Sequence, residues 1–111
     1  MAYHEYGIIE DFHPLSSEYE EYAPEKYGCI RVEEDLAEPV MERLVDLPTF
    51  FHRGTRPEKG FAWCGITIVP PQSLPRFLAA VEEAKAPGLA RLKQMIRTAQ
   101  ARGKHMIHYG L

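Results

Sequence analysis

No stretch of this chain is apolar over the ~20 residues that a membrane-spanning helix needs. No basic segment followed by an apolar run opens it, so neither a membrane partner nor a signal peptide is expected. Cysteine is scarce. Cys29 and Cys64 each lie in an apolar, strand-like run. With no export signal to imply an oxidising compartment, both are expected as buried free thiols of a cytoplasmic protein. Metal-holding spacings are missing too: there is no Cys-x-x-Cys and no His-x-x-x-His. Nor is there a phosphate-binding P-loop, a dinucleotide glycine fingerprint or a Gly-x-Ser-x-Gly turn. No metal and no cofactor are expected.

Each half of the chain is poor in charges of one sign. Residues 1–50 hold three basic side chains (Lys26, Arg31, Arg43) against thirteen acidic ones. Residues 51–111 hold three acidic ones (Glu58, Glu82, Glu83) against ten basic ones. Two arrangements fit this split. The halves can pack so that their charges interleave, or they can form a bipolar surface whose acidic side steers a basic partner.

What is present suffices for a core. The chain has 111 residues and is 45% hydrophobic, too apolar for disorder. A chain this long buries roughly 65% of its unfolded surface in one domain. Residues 1–10 read as a strand with imperfect alternation at Ile8 and Ile9. Ser17 and Glu20 match a capping box for a helical turn over 18–22, ended by Pro24. Tyr27–Val32 reads as a strand. A helix is expected over 39–47, with Glu38 as cap and Pro39 as first helical residue, because Val40, Leu44 and Leu47 recur at helical spacing. Thr49–His52 reads as a short strand and 52–60 as an exposed basic hairpin loop. Phe61–Val69 reads as a central strand with two apolar faces. Leu74, Phe77, Leu78 and Val81 mark a helix capped by Ser73. Leu89, Leu92, Ile96 and Ala99 mark another, ended by Gly103. Lys104–Tyr109 is the last strand. These elements predict a single α+β domain over 1–111: a mixed sheet of about four or five strands with two or three helices mainly on one face. If the strands at 27–32 and 49–52 are parallel in one sheet, the unit joining them is a right-handed crossover.

Two sets of residues carry candidate chemistry. His52, Arg53 and Arg56 lie on the basic loop, and His105 or His108 on the last strand can add a second imidazole. Histidine moves protons near neutral pH and arginine stabilises an anion, so this set suits a small hydrolase or nuclease-like enzyme. His105 and His108 are three apart on a strand and so point to opposite faces, which makes them poor joint metal ligands. Direct nucleic-acid binding is not expected. The net charge is −3, no recognition module is visible, and Arg91, Lys93, Arg97, Arg102 and Lys104 read as the solvated face of a helix and its exit.

The second set lies at the N-terminus. Five of the six tyrosines fall in the first 27 residues, among seven carboxylates. Tyr19, Glu20, Glu21, Tyr22 and Glu25, with Tyr3 and Tyr6, have the composition of a surface that binds a basic protein. Tyrosine gives contact area at low entropic cost, and carboxylates speed association with a cationic partner. In size and charge alone, the chain resembles small acidic bacterial immunity and antitoxin proteins. That resemblance implies a non-enzymatic inhibitor. A homodimer built on the second face of the 61–69 strand, with Trp63 buried only in the dimer, is a further arrangement.

Overall fold

Alternation along the first strand decides what each face of the sheet receives. In the computed structural model, which describes residues 2–111, β1 (Tyr3–Ile9) turns His4, Tyr6 and Ile8 to one side. Glu5, Gly7 and Ile9 go to the other. β2 (Ile30–Glu33), α1 (Glu34–Glu42), β3 (Pro48–Phe51), β4 (Pro57–Lys59), β5 (Ile66–Val69), α2 (Leu74–Ala84), α3 (Ala90–Arg102) and β6 (His105–Tyr109) follow. The six strands form one sheet in the order β2-β1-β6-β5-β3-β4, and every neighbouring pair is antiparallel.

The α+β class agrees with the sequence, but the sheet is larger than expected and antiparallel rather than mixed. The extra strand is β4, which folds back on β3 from within the predicted basic loop. β2 and β3 do point the same way, since four antiparallel steps relate them, but three strands stand between them.

Ala37, Val40 and Met41 of α1, Leu74, Phe77 and Val81 of α2, and Leu92, Ile96 and Ala99 of α3 form one core. They share it with Tyr6, Val32, Val69 and Met106 of the sheet. On the opposite face Ile9, Ile66, Ile68, Ile107 and Tyr109 are covered by Phe12, Tyr19 and Tyr27. These three belong to an irregular segment with single 3-10 turns at Glu18–Glu20 and Pro24–Tyr27. The expected cap at Ser17 does not form; Ser16 Oγ accepts from the Glu18 N–H instead.

That cover presses close to the sheet at Gly7. A Cβ there would lie 2.7 Å from the Tyr27 carbonyl oxygen and 2.7 Å from Cys29 Sγ. Since one of the two nearest obstacles is backbone, Gly7→Ala is expected to cost about 1–3 kcal/mol. An unchanged urea midpoint for the variant would show that the cover yields freely.

Two boundaries differ from the sequence reading. α1 begins at Glu34, and Pro39 lies inside it rather than at its start. The missing N–H leaves the Asp35 carbonyl without its helical partner. Burial of Ala37, Val40 and Met41 offsets that loss, and the helix ends three residues past the proline, with Leu44 and Leu47 buried in the turns that follow. The predicted 61–69 strand is regular only over Ile66–Val69. Gly60 has φ +76°, and Thr67 Oγ1 takes the Ala62 N–H at 2.8 Å. The chain from Ala62 to Gly65 turns outward, tied by the N–H groups of Gly110 and Leu111 to the carbonyls of Gly65 and Trp63.

Candidate functional site

The structure divides the tyrosines that the sequence grouped together. Tyr6 lies on the helix side, 2% exposed, with its ring against Phe61, Phe77 and His108. Tyr19 lies on the other side, fully buried, and its hydroxyl accepts the His13 N–H at 2.7 Å. Burial raises both hydroxyl pKa values. Both residues belong to the core and leave the candidate surface. Tyr3 and Tyr22 stay on it. Tyr22, 64% exposed, donates to Glu5 and meets the Tyr109 ring edge-on. Its hydroxyl pKa is raised, first by that bond to the carboxylate. The Arg31 guanidinium stands 5.7 Å from the Tyr3 ring centre. Glu20 is engaged by Arg53 at 3.0 Å. Glu21 and Glu25 are exposed, and among the described residues no cation lies within ion-pair reach of either.

The charge split is partly interleaved. Glu10–Arg102, Glu20–Arg53, Asp46–Arg76 and Glu83–Arg43 each join one half of the chain to the other. All are exposed pairs, screened by solvent and salt, and contribute little to stability. One block of acid is left over. Glu33 ends β2, and Glu34, Asp35, Glu38 and Glu42 lie along α1. Among the described residues no cation comes within 4.0 Å of any of these five. The Glu38 carboxyl is held above its ordinary range by loss of solvent and by repulsion from Glu34, Asp35 and Glu42. The signal for this block is legible in the sequence as five carboxylates and no cation across residues 33–42.

The two acidic regions meet on the sheet. Glu33 is opposite Tyr3 and Arg31 is opposite Glu5 in the β1–β2 register. Tyr22, Glu5, Tyr3, Arg31 and Glu33 therefore form one surface at the β2 edge, continued by Glu34 and Asp35 where α1 begins.

The candidate histidines His52, His105 and His108 do not assemble; His108 pairs instead with His4. His52 sits at the end of β3 with φ +64°, in a tight three-residue turn closed by the Arg53 N–H on the Phe51 carbonyl. His105 lies on the cover side, its ring stacked on Phe12 at 3.8 Å. From the registers it is two strands across and about four residues along from His52, roughly 16 Å away. That exceeds hydrogen-bond reach. His108 points to the helix side, as alternation requires, and has no exposed surface. The loop cations are occupied as well, Arg53 by Glu20 and Arg56 by Glu58.

Both thiols are free. Cys29, expected buried, is only half-buried, and burial pushes its thiol up to about 12. Cys64, expected in the core, is exposed because its segment is a turn and not a strand. The same turn removes the second apolar face proposed for dimerisation: Phe61, Thr67 and Val69 are buried within the chain, and only Trp63, 42% exposed, reaches outward. Among the described residues no helix is long and apolar enough to cross a membrane, and no group of three ligating side chains converges as a metal site.

The chain matches no protein-family model, no curated protein and no solved structure.

Proposed function

We propose that this chain is a non-enzymatic binding protein that occludes a basic protein partner, in the manner of an inhibitor, with the acidic surface formed by β2, the start of α1 and the exposed Tyr3 and Tyr22. One observation carries this reading. Five carboxylates from Glu33 to Glu42, contiguous on β2 and α1, have no described cation in reach, whereas four of the other eight acids of this half, Glu10, Glu18, Glu20 and Asp46, are paired within the fold. Gathered like charge weakens the free protein, and a cationic partner relieves that repulsion on binding. The two tyrosines supply rigid contact area beside the charge.

The test is affinity capture from the protein's own cells at low and moderate salt, with the intact chain and with a Glu38→Lys/Glu42→Lys variant. These positions avoid the helix N-terminus, where a cation would oppose the macrodipole. A stoichiometric basic partner is expected, weakened by salt and associating at least about tenfold more slowly with the variant. A partner held equally by both chains at both salt concentrations would remove this surface from the function.

A further inference from the structure

We infer that the partner docks by adding a strand to β2: an extended segment with cationic side chains on one face and apolar side chains on the other. This rests on the acidic-surface reading and specifies how that surface is used. β2 is an edge strand. Its register shows which backbone groups remain. The Glu34 N–H bonds the Ala2 carbonyl across the Tyr3–Glu33 pair. Tyr3–Glu33 and Glu5–Arg31 are therefore the non-bonded pairs, and His4–Val32 and Tyr6–Ile30 the bonded ones. It follows that Arg31 turns its N–H and carbonyl, and Glu33 its N–H, to the open side. The Glu33 carbonyl starts α1. The other edge, β4, has three residues and opens with Pro57, so it is a poor template for a further strand.

The two faces beside β2 differ in chemistry. On the helix side a mostly apolar groove of about 320 Å³ is lined by Ile8, Ile30 and Met95 together with Arg91, Gln94 and Thr98 of α3. On the other side lie Tyr3, Glu5, Arg31 and Glu33, with the Arg31 guanidinium over the Tyr3 ring. Side chains of an added strand alternate between these faces. Those over Ile30 and Met95 must be apolar. Those beside Glu33, and beside Glu34 and Asp35 where α1 begins, gain from a positive charge through the carboxylates. A second copy of this chain fits less well, because it brings its own Glu34 and Asp35 to the same edge.

The probes are two heptapeptides of equal composition, acetyl-Lys-Val-Lys-Val-Lys-Val-Lys-amide and acetyl-Lys-Lys-Lys-Lys-Val-Val-Val-amide, titrated into the full chain by calorimetry. Amide hydrogen exchange is followed by NMR. The alternating peptide is expected to bind at least tenfold more tightly and to slow exchange at Arg31 and Glu33. Arg31→Pro removes an outward donor without removing a bond to β1, and its neighbour Ile30 is already extended, as proline requires. It is expected to lose at least tenfold in affinity. Should that variant unfold, exchange at Arg31 and Glu33 in the natural chain still decides. Equal binding of both peptides with no protection at these amides would overturn strand addition and leave the acidic surface standing. No binding of either peptide at low salt would also overturn it, while the capture experiment judges the surface separately. A peptide-free dimer, seen by sedimentation and split by Arg31→Pro, would make a second copy the occupant and refute this inference.

Discussion

Lowering the pH from 7 to 5 is expected to destabilise the fold steeply, with His108 as the main cause. His108 is buried against Tyr6, Phe61 and His4. Its Nε2 is 2.8 Å from His4 Nδ1 and its Nδ1 is 3.3 Å from Thr67 Oγ1. Thr67 Oγ1 already accepts the Ala62 N–H. Its own proton can therefore go to His108 Nδ1, and His108 Nε2–H can donate to His4. Protonating His108 would turn the Thr67 hydroxyl proton away from Nδ1 and bury a charge with no carboxylate in contact. Burial, then His4, drives its pKa well below the ordinary 6.5. His4 is lowered by burial and partly restored by Glu34. His105 moves the same way through burial, with more screening by solvent.

The sign is the same for all three. The unfolded chain takes up the protons first, so the stabilisation is complete above pH 6.5 and is lost as pH falls from 6.5 towards the native values. The slope approaches about 1.4 kcal/mol per pH unit for a histidine protonated in the unfolded chain and neutral in the native one, the case that His108 comes nearest to. The carboxylates act lower. Glu10 and Asp46 are held below their ordinary range by hydrogen bonds from Arg102 and Arg76, and their contribution fades as pH falls below the ordinary carboxylate range. Glu38, raised by loss of solvent and then by its acidic neighbours, works in the opposite direction, favouring the fold slightly as it protonates. Urea unfolding followed by circular dichroism at pH 7, 6 and 5 measures the slope. His108→Gln keeps hydrogen-bonding groups in place and cannot titrate, so its slope should be shallower by about one proton. A natural chain equally stable at pH 7 and pH 5 would contradict the buried neutral pair.

His108 also shows where sequence reasoning reached and where it stopped. Alternation along β6 placed His105 and His108 on opposite faces without a structure. It gave no means of finding His4, 104 residues away, because partnership across β1 and β6 is a matter of register. α2 and α3 were legible because their apolar spacing is regular and Gly103 ends the second one. The 61–65 segment was not, because a turn fastened by the last two residues carries the same apolar letters as a strand. Pro39 misled for a related reason: local preference puts proline at a helix start, and tertiary burial of Ala37, Val40 and Met41 overrode it. At the candidate surface, composition located the acid and the tyrosines. Only the packing of the cover separated the buried Tyr19 from the exposed Tyr22.

Tyr19→Ala is accordingly expected to cost about 3–5 kcal/mol, as truncation of a buried aromatic does. That is a large share of the 5–15 kcal/mol typical of a domain's whole stability. Tyr19 fills the space between Phe12 and Tyr27 and roofs the isoleucines of β1, β5 and β6. Without it the cover loses its central contact, and an apolar sheet face is opened to water. Tyr19→Phe keeps the ring and removes the acceptor for the His13 N–H, so about 1 kcal/mol is expected. Tyr22→Ala removes a mostly exposed side chain and should cost well under either packing loss. Binding should reverse this order: Tyr22→Ala weakens capture of the partner, while Tyr19→Phe leaves it unchanged. Chemical denaturation and capture on the same variants measure both quantities. If Tyr19→Ala kept full stability and lost the partner, Tyr19 would be a contact residue, and the buried position assigned to it here would be wrong.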